Sequence, residues 1–171
     1  MRSVFRLVGA IVAVTTASFW ITAMPAGGGA SHQNLHGTFR ETAAGAGLGY
    51  DIAGSAKLTV STDATTAKVN VSGLDPAKHY GSHLHNGTCA TGGGGHYQDV
   101  EGGAAAPPNE LWLSSDDTPP LTLDPNPGGV AHGSGSAPWA ARLSSTTKTN
   151  ARSIVVHEPG SGARIACADL G

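Results

Sequence analysis

Residues 56–72, AKLTVSTDATTAKVNVS, contain two short segments, 56–60 and 68–72, in which apolar and polar residues alternate. Alternation with a period of two places the apolar side chains on one face of an extended chain. Further segments of strand length lie at 81–85, 111–113, 139–143, 153–157 and 164–168. Clusters of Gly, Pro, Asn and Asp separate these segments, and no helical periodicity persists beyond Asp51. The pattern predicts an all-β sandwich or barrel.

The amino-terminal region has the layout of a secretory signal. Arg2 and Arg6 precede an apolar run at 7–23, which small residues follow. We expect residues 1–30 to be a signal peptide and leader, and residues 31–171 to form one domain. Four Ser and Thr residues interrupt the run and no basic cluster follows it, which favours cleavage over the alternative of a permanent anchor. The predicted location is extracellular, periplasmic or associated with the cell envelope.

The chain contains two cysteines, Cys89 and Cys167. In an exported protein an even number of cysteines usually means a disulfide bond. A bridge between them would close a loop of about 79 residues and contribute on the order of 4.5 kcal/mol of stability.

The charge balance restricts the possible partners. The full chain has 10 basic and 12 acidic residues, and removal of the signal with Arg2 and Arg6 would make it more acidic. No basic stripe with interleaved aromatic residues is present, so nucleic acid is not an expected partner. Stable membrane insertion is not expected after signal cleavage.

Two long loops are expected from composition. Residues 86–109 contain a run of four glycines, and residues 116–129 contain four prolines. Loops longer than about 15 residues in a compact domain are usually functional or disordered. The first loop holds a cysteine and a histidine and is therefore interpreted as functional, whereas the second is interpreted as a stiff connector.

The peptide Tyr80-Gly-Ser-His-Leu-His85 is a candidate metal-binding segment. On a strand, His83 and His85 would point the same way about 6.6 Å apart, so both imidazoles could reach one ion. Polar faces of strands also carry such pairs without a function. His96, after the glycine run, and His157, at the end of segment 153–157, are two further candidates. Four imidazoles suit copper(II), with zinc as the competing metal.

Several motifs follow one another in a specific order, namely Gly81-Ser-His-Leu-His85, Cys89, Gly94-Gly-His-Tyr97, Gly129-Val-Ala131, Ala151-Arg-Ser-Ile-Val-Val-His-Glu158 and Gly162-Ala-Arg-Ile-Ala-Cys167. In this order the chain resembles the copper/zinc superoxide dismutases. The short spacing between His85 and Cys89 resembles the exported bacterial branch. The resemblance implies a Greek-key β-sandwich or flattened barrel of about eight antiparallel strands with long functional loops.

The resemblance also implies roles for individual residues. The copper ligands of the family fall on His83, His85, His96 and His157, with one copper per chain. The family disulfide falls on Cys89 and Cys167. Arg164 falls on the arginine that attracts the superoxide anion, although a solvated surface arginine is the alternative. His96 would also be catalytic, because in the family it takes up a proton during the cycle.

The zinc site of the family does not carry over. No histidine lies between Tyr97 and His132, and Glu110 and Leu113 stand where a histidine and an aspartate are expected. Zinc is therefore not an expected cofactor, and the chain resembles a copper-only member of the family. The loop between His157 and Arg164 is also short, which should leave the copper more open to solvent.

Glu110 has a possible substitute role. A metal-bound imidazole usually donates its second N–H to a carboxylate. We expect Glu110 to hydrogen-bond His96, with Asp99 and Glu101 as rival partners and an ordinary surface glutamate as the alternative.

The predicted function is dismutation of superoxide at a single copper ion. The alternatives are a secreted copper-binding protein without turnover and a metal-free adhesive or envelope module. Arg164 distinguishes the first two, because sequestration gives no reason for it. The other four histidines are expected to play no part in metal binding, and these are His32, His36, His79 and His132.

Overall fold

The computed structural model describes residues 32–143 and 150–171. The predicted signal peptide and leader at 1–30 lie outside the described residues. Seven strands, a single-turn α-helix and a 3-10 turn make up the regular structure of this part of the chain. They are β1 (Gln33–Glu41), α1 (Ala43–Gly47), β2 (Ala53–Val60), β3 (Thr65–Ser72), β4 (Gly81–His85), the 3-10 turn (Cys89–Thr91), β5 (Ala131–Ala137), β6 (Ser153–His157) and β7 (Arg164–Asp169).

The strands form one curled sheet in the order β4-β6-β7-β1-β2-β3-β5, and neighbouring strands are antiparallel. This architecture confirms the predicted all-β flattened barrel. The alternating segments 56–60 and 68–72 lie in β2 and β3, where their apolar residues are buried and the intervening polar residues are more exposed. The inward residues of these strands join those of β4, β6 and β7 in one hydrophobic core.

The predictions of strands at 139–143 and 111–113 were wrong. Residues 139–143 form no strand, because side chains bind their backbone instead of a neighbouring strand. Thr65 Oγ1 accepts the N–H of Ala141 at 2.8 Å, and Tyr97 Oη accepts that of Arg142 at 2.9 Å. Residues 111–113 make one isolated bridge, between Trp112 and His83, and Ser114 makes a second with Ser134.

These isolated bridges connect the two edge strands of the sheet. The N–H of Leu113 donates to Ser82 O in β4 at 2.9 Å, and the N–H of Ser114 donates to Ser134 O in β5 at 2.9 Å. The segment that contains Glu110 is thereby held beside β4.

Cys89 and Cys167 form the predicted disulfide, with an S–S distance of 2.04 Å. It ties the 3-10 turn of the long loop to β7, and it fits a protein of an oxidising compartment. Among the described residues, no helix has the length and apolar character needed to cross a membrane.

Candidate metal centre

Two strands supply three of the candidate histidines. His83 and His85 alternate along β4 and are 8% and 0% exposed. β6 pairs with β4 so that its last residue, His157, lies opposite Gly81. The ring centroids of His83 and His157 are 5.0 Å apart.

The glycine-rich loop supplies His96. Gly92, Gly93 and Gly94 all have positive φ angles of 71°, 85° and 66°. A Cβ atom on Gly93 would lie 2.8 Å from a methyl carbon of Val155, so both conformation and space require glycine there. The loop folds back along β4, where His96 forms a backbone bridge with His85.

The four side chains converge, and we call His83, His85, His96 and His157 the histidine cluster. One ligand atom from each lies within 4.8 Å of the others. Nitrogen ligands about 2.0–2.1 Å from one ion stand about 3–4 Å from each other, and His85 Nε2 is 3.2 Å from His157 Nε2. The histidine cluster could therefore hold a metal ion.

The second nitrogen of two rings is already engaged. His96 Nδ1 donates to Glu110 Oε2 at 2.7 Å, and His157 Nδ1 donates to Gly162 O at 3.1 Å. Their Nε2 atoms are thereby left as the ligand atoms. The Nδ1 atoms of His83 and His85 are both buried without a hydrogen-bond partner in the described residues. The donor set fits a metal that prefers imidazole, such as copper or zinc.

Burial keeps the imidazoles of His83, His85 and His157 neutral, and the neutral imidazole is the form that binds metals. Burial, reinforced by the neighbouring imidazole of His96, lowers the pKa of His83 to about 2 and that of His85 to about 3. Burial also lowers the pKa of His157. At neutral pH, no proton has to leave these three rings before an ion binds.

The carboxylate of Glu110 lies behind the cluster and is 1% exposed. In addition to His96, it accepts Trp112 Nε1–H at 2.9 Å and Gln98 Nε2–H at 3.0 Å. Burial alone would raise the pKa of Glu110, but these hydrogen bonds outweigh burial and lower it. Glu110 is thus an ionised group that fixes the orientation of His96.

The structure selects among the partners considered for His96. Asp99 faces Arg142 instead, with Oδ1 3.6 Å from Nη1, and Glu101 is exposed. Leu113, next to Trp112 in the same segment, is fully buried in the core.

Arg164 lies beside the cluster, opposite His157 in the pairing of β6 with β7. Its Nη1 donates to Gly92 O at 2.5 Å, so the glycine loop fixes the guanidinium.

The turn between His157 and Arg164 is short and closed by the N–H of Glu158 donating to Ala163 O at 2.7 Å. The side chain of His96 is 31% exposed, so a small solute can approach the cluster.

Sequence reasoning missed Trp112. Its ring lies 4.6 Å from that of His83, centroid to centroid, while its Nε1–H binds Glu110. One side chain therefore contacts one candidate ligand and supports the partner of another. The sequence feature that could have revealed Trp112 is the alternation in Asn109-Glu-Leu-Trp-Leu113. It places Glu110 and Trp112 on one face of an extended segment.

A polar network next to His157 was also missed. Glu158 accepts hydrogen bonds from Tyr50 and from Lys78 Nζ, the latter at 2.8 Å, and Tyr50 Oη lies 3.1 Å from Tyr80 Oη. Burial would raise the pKa of Glu158, but the hydrogen bonds from Lys78 and Tyr50 lower it. The network anchors the end of β6 against the start of β4.

The structure separates the other histidines from the cluster. His79 pairs with Asp124, with Nδ1 2.6 Å from Oδ1, and His36 and His132 are exposed on β1 and β5. A second possible ligand group in the described residues consists of Cys89, Cys167 and Asp169, but its two sulfurs form the disulfide.

No protein-family model matches the sequence, and no curated protein matches it.

Proposed function

We propose that this protein is a superoxide dismutase that works with one copper ion held by the histidine cluster, and that it is a member without zinc of the copper/zinc superoxide dismutase family. The observation that carries the proposal is the convergence of four imidazoles beside the guanidinium of Arg164. Imidazole ligands suit copper, and a fixed cation next to them suits an anionic substrate.

Bound copper would supply the one-electron chemistry, in which one superoxide is oxidised to oxygen and a second is reduced, with two protons, to hydrogen peroxide. The residues of the chain bind the ion, orient the anion and deliver protons. Arg164 attracts the anion to the open side of the cluster, and its bond to Gly92 O leaves its other N–H groups free to face that anion.

His96 and Glu110 control the proton near the site. Glu110 holds a proton on Nδ1 of His96, so Nε2 is the atom of this ring that either binds the ion or carries a further proton. His96 is more exposed than His83 or His85, so it can exchange protons with solvent.

Export is part of the proposal. A disulfide that closes a loop of this length persists in the oxidising environment outside the cytoplasm. The amino-terminal signal expected from the sequence agrees with this location.

The test is to reconstitute the full chain with copper, count the metal per chain and measure superoxide loss. We expect one copper per chain and turnover in the wild type. Arg164→Ala should keep the copper and lose about tenfold in turnover, because a local cation raises the rate of anion encounter. Lys68→Ala, which removes a charge from β3, should keep both.

The same experiment distinguishes the alternatives. His83→Ala should lose the copper, and with it the activity. Copper binding without superoxide loss in the wild type would reject catalysis and support a copper-sequestering protein. Absence of copper binding would reject both.

A further inference from the structure

One face of the barrel carries a regular array of polar side chains. β1, β2, β3 and β5 are neighbours, and their outward residues line up across the strands. We call this surface the outer face. One row consists of His36, Lys57, Lys68 and Ser134, and the next row consists of Thr38, Ser55, Asn70 and His132.

Charge is segregated onto this face. Of the seven Lys and Arg residues in the described part of the chain, three lie here, namely Arg40, Lys57 and Lys68. Of the twelve acidic residues, Glu41 alone belongs to these four strands, and it alternates to the opposite side from Arg40. The outward fixed charges that these four strands carry are thus all positive in an acidic protein, while Asp117 of an adjoining loop lines a neighbouring depression together with Lys68.

Lys57 and Lys68 repel each other across two neighbouring strands. Lys57 and Lys68 are directly opposite in the β2–β3 pairing, and like charges at such positions destabilise a sheet. Neither ammonium group has a hydrogen-bond or ion-pair partner within residues 32–143 and 150–171. An anion bound between them would relieve this repulsion.

A depression of about 480 Å³ lies over the two lysines. Its lining includes His36, Ser55, Lys57, Lys68, Asn70 and His132, and it contains no Asp or Glu. Hydroxyl, amide and imidazole groups can donate hydrogen bonds to an anion that the lysines attract.

We propose that the outer face binds a linear polymer of phosphate groups, such as a polyphosphodiester of a cell surface. Ammonium groups bind phosphate as point charges, without the planar fork that arginine offers to a carboxylate. Donors repeat across the strands about every 4.8 Å, so the rows present a line of contacts to an extended chain. Neither row contains a Phe, Tyr or Trp to stack on bases, which disfavours single-stranded nucleic acid.

The test uses inorganic polyphosphate as the probe and the full metal-free chain, so that it is independent of the proposed dismutase activity. We expect the wild type to bind, with an affinity that falls between about 0.05 and 0.2 M salt. The double variant Lys57→Gln/Lys68→Gln should bind about tenfold more weakly, because two exposed ion contacts are lost. Circular dichroism would show that the variant is folded.

The control is Lys78→Gln, which removes one positive charge outside the outer face. It should bind polyphosphate within about twofold of the wild type. Unchanged binding by the double variant, or an equal loss in the control, would overturn the proposal. Tighter binding per phosphate to vesicles of anionic phospholipid or to double-stranded DNA would also overturn it, in favour of those partners.

Discussion

The Nδ1 atom of His96 lies 2.7 Å from Oε2 of Glu110, whose carboxylate is almost completely buried. Because an ionised carboxylate can only accept, the proton lies on Nδ1 and the free lone pair of the ring lies on Nε2. That lone pair belongs to the histidine cluster. A residue outside the cluster therefore sets both the tautomer and the orientation of a candidate ligand.

Glu110→Gln should weaken copper binding about 10- to 100-fold, the range typical for loss of a partner behind a metal ligand. The amide would present a donor where Trp112, Gln98 and His96 also donate, so at least one bond would be lost. Competition with a chelator would measure the affinity. Glu101→Gln, an exposed change in the same loop, is the control, and equal affinity in the two variants would contradict the assigned role.

Trp112→Phe should weaken copper binding by a smaller factor, about three- to tenfold. Phenylalanine keeps an aromatic ring beside His83 but loses the hydrogen bond to Glu110. Trp139→Phe is a matched control, because Trp139 Nε1 donates to Pro108 O at a distance of 2.5 Å. Neither residue belongs to the histidine cluster. This control should lower the free energy of unfolding but leave copper affinity unchanged, and a copper loss as large as that of Trp112→Phe would count against the role of Trp112.

The metal-free protein should lose stability as the pH falls below about 6.5, the ordinary pKa of histidine. The folded-state pKa values of His83 and His85 are about 2 and 3, so in this window the unfolded state binds more protons. The free energy of unfolding should therefore fall by up to about 1.4 kcal/mol per pH unit for each ring. Urea unfolding between about pH 7 and pH 4 measures the slope.

The matched variants separate this effect from general acid sensitivity. His83→Gln/His85→Gln should flatten the slope, since the two groups that resist protonation are gone. His79→Gln removes an exposed histidine and should keep the slope of the wild type. If the double variant and the wild type lost stability in parallel, burial of the two rings would not be the cause.

The sequence predicted the parts of the site that depend on local geometry. Alternation along β4 is enough to place His83 and His85 on one side, and two cysteines in a chain expected to be exported are enough to predict their bridge. The hydrogen bond between Glu110 and His96 was expected with rival partners, because composition cannot choose among carboxylates in one loop. The choice depends on the bridges that hold residues 111–114 against β4 and β5.

The residues that the sequence did not reveal depend on long-range contacts. Trp112 acts across the gap between two edge strands, and the Lys57–Lys68 pair depends on the exact register of β2 against β3. A shift of one residue would place either side chain on the other face. Residues 139–143 looked like a strand because their alternation was read without the side chains of Thr65 and Tyr97, which take up their backbone donors.

Replacement of both cysteines by serine should lower the free energy of unfolding by about 4 kcal/mol, because the bridge restricts a long loop of the unfolded chain. Copper affinity should change less, since His96 stays tied to β4 by Asn86 N–H donating to Gly95 O at 3.0 Å and by Tyr97 N–H donating to Leu84 O at 2.8 Å. Urea unfolding and chelator competition measure the two quantities. Ser153→Ala, which removes a hydroxyl bonded to Gly87 O in the same loop, is the control and should cost about 1 kcal/mol. A loss in the double serine variant no larger than in this control would show that the disulfide does not provide the main tether of the loop.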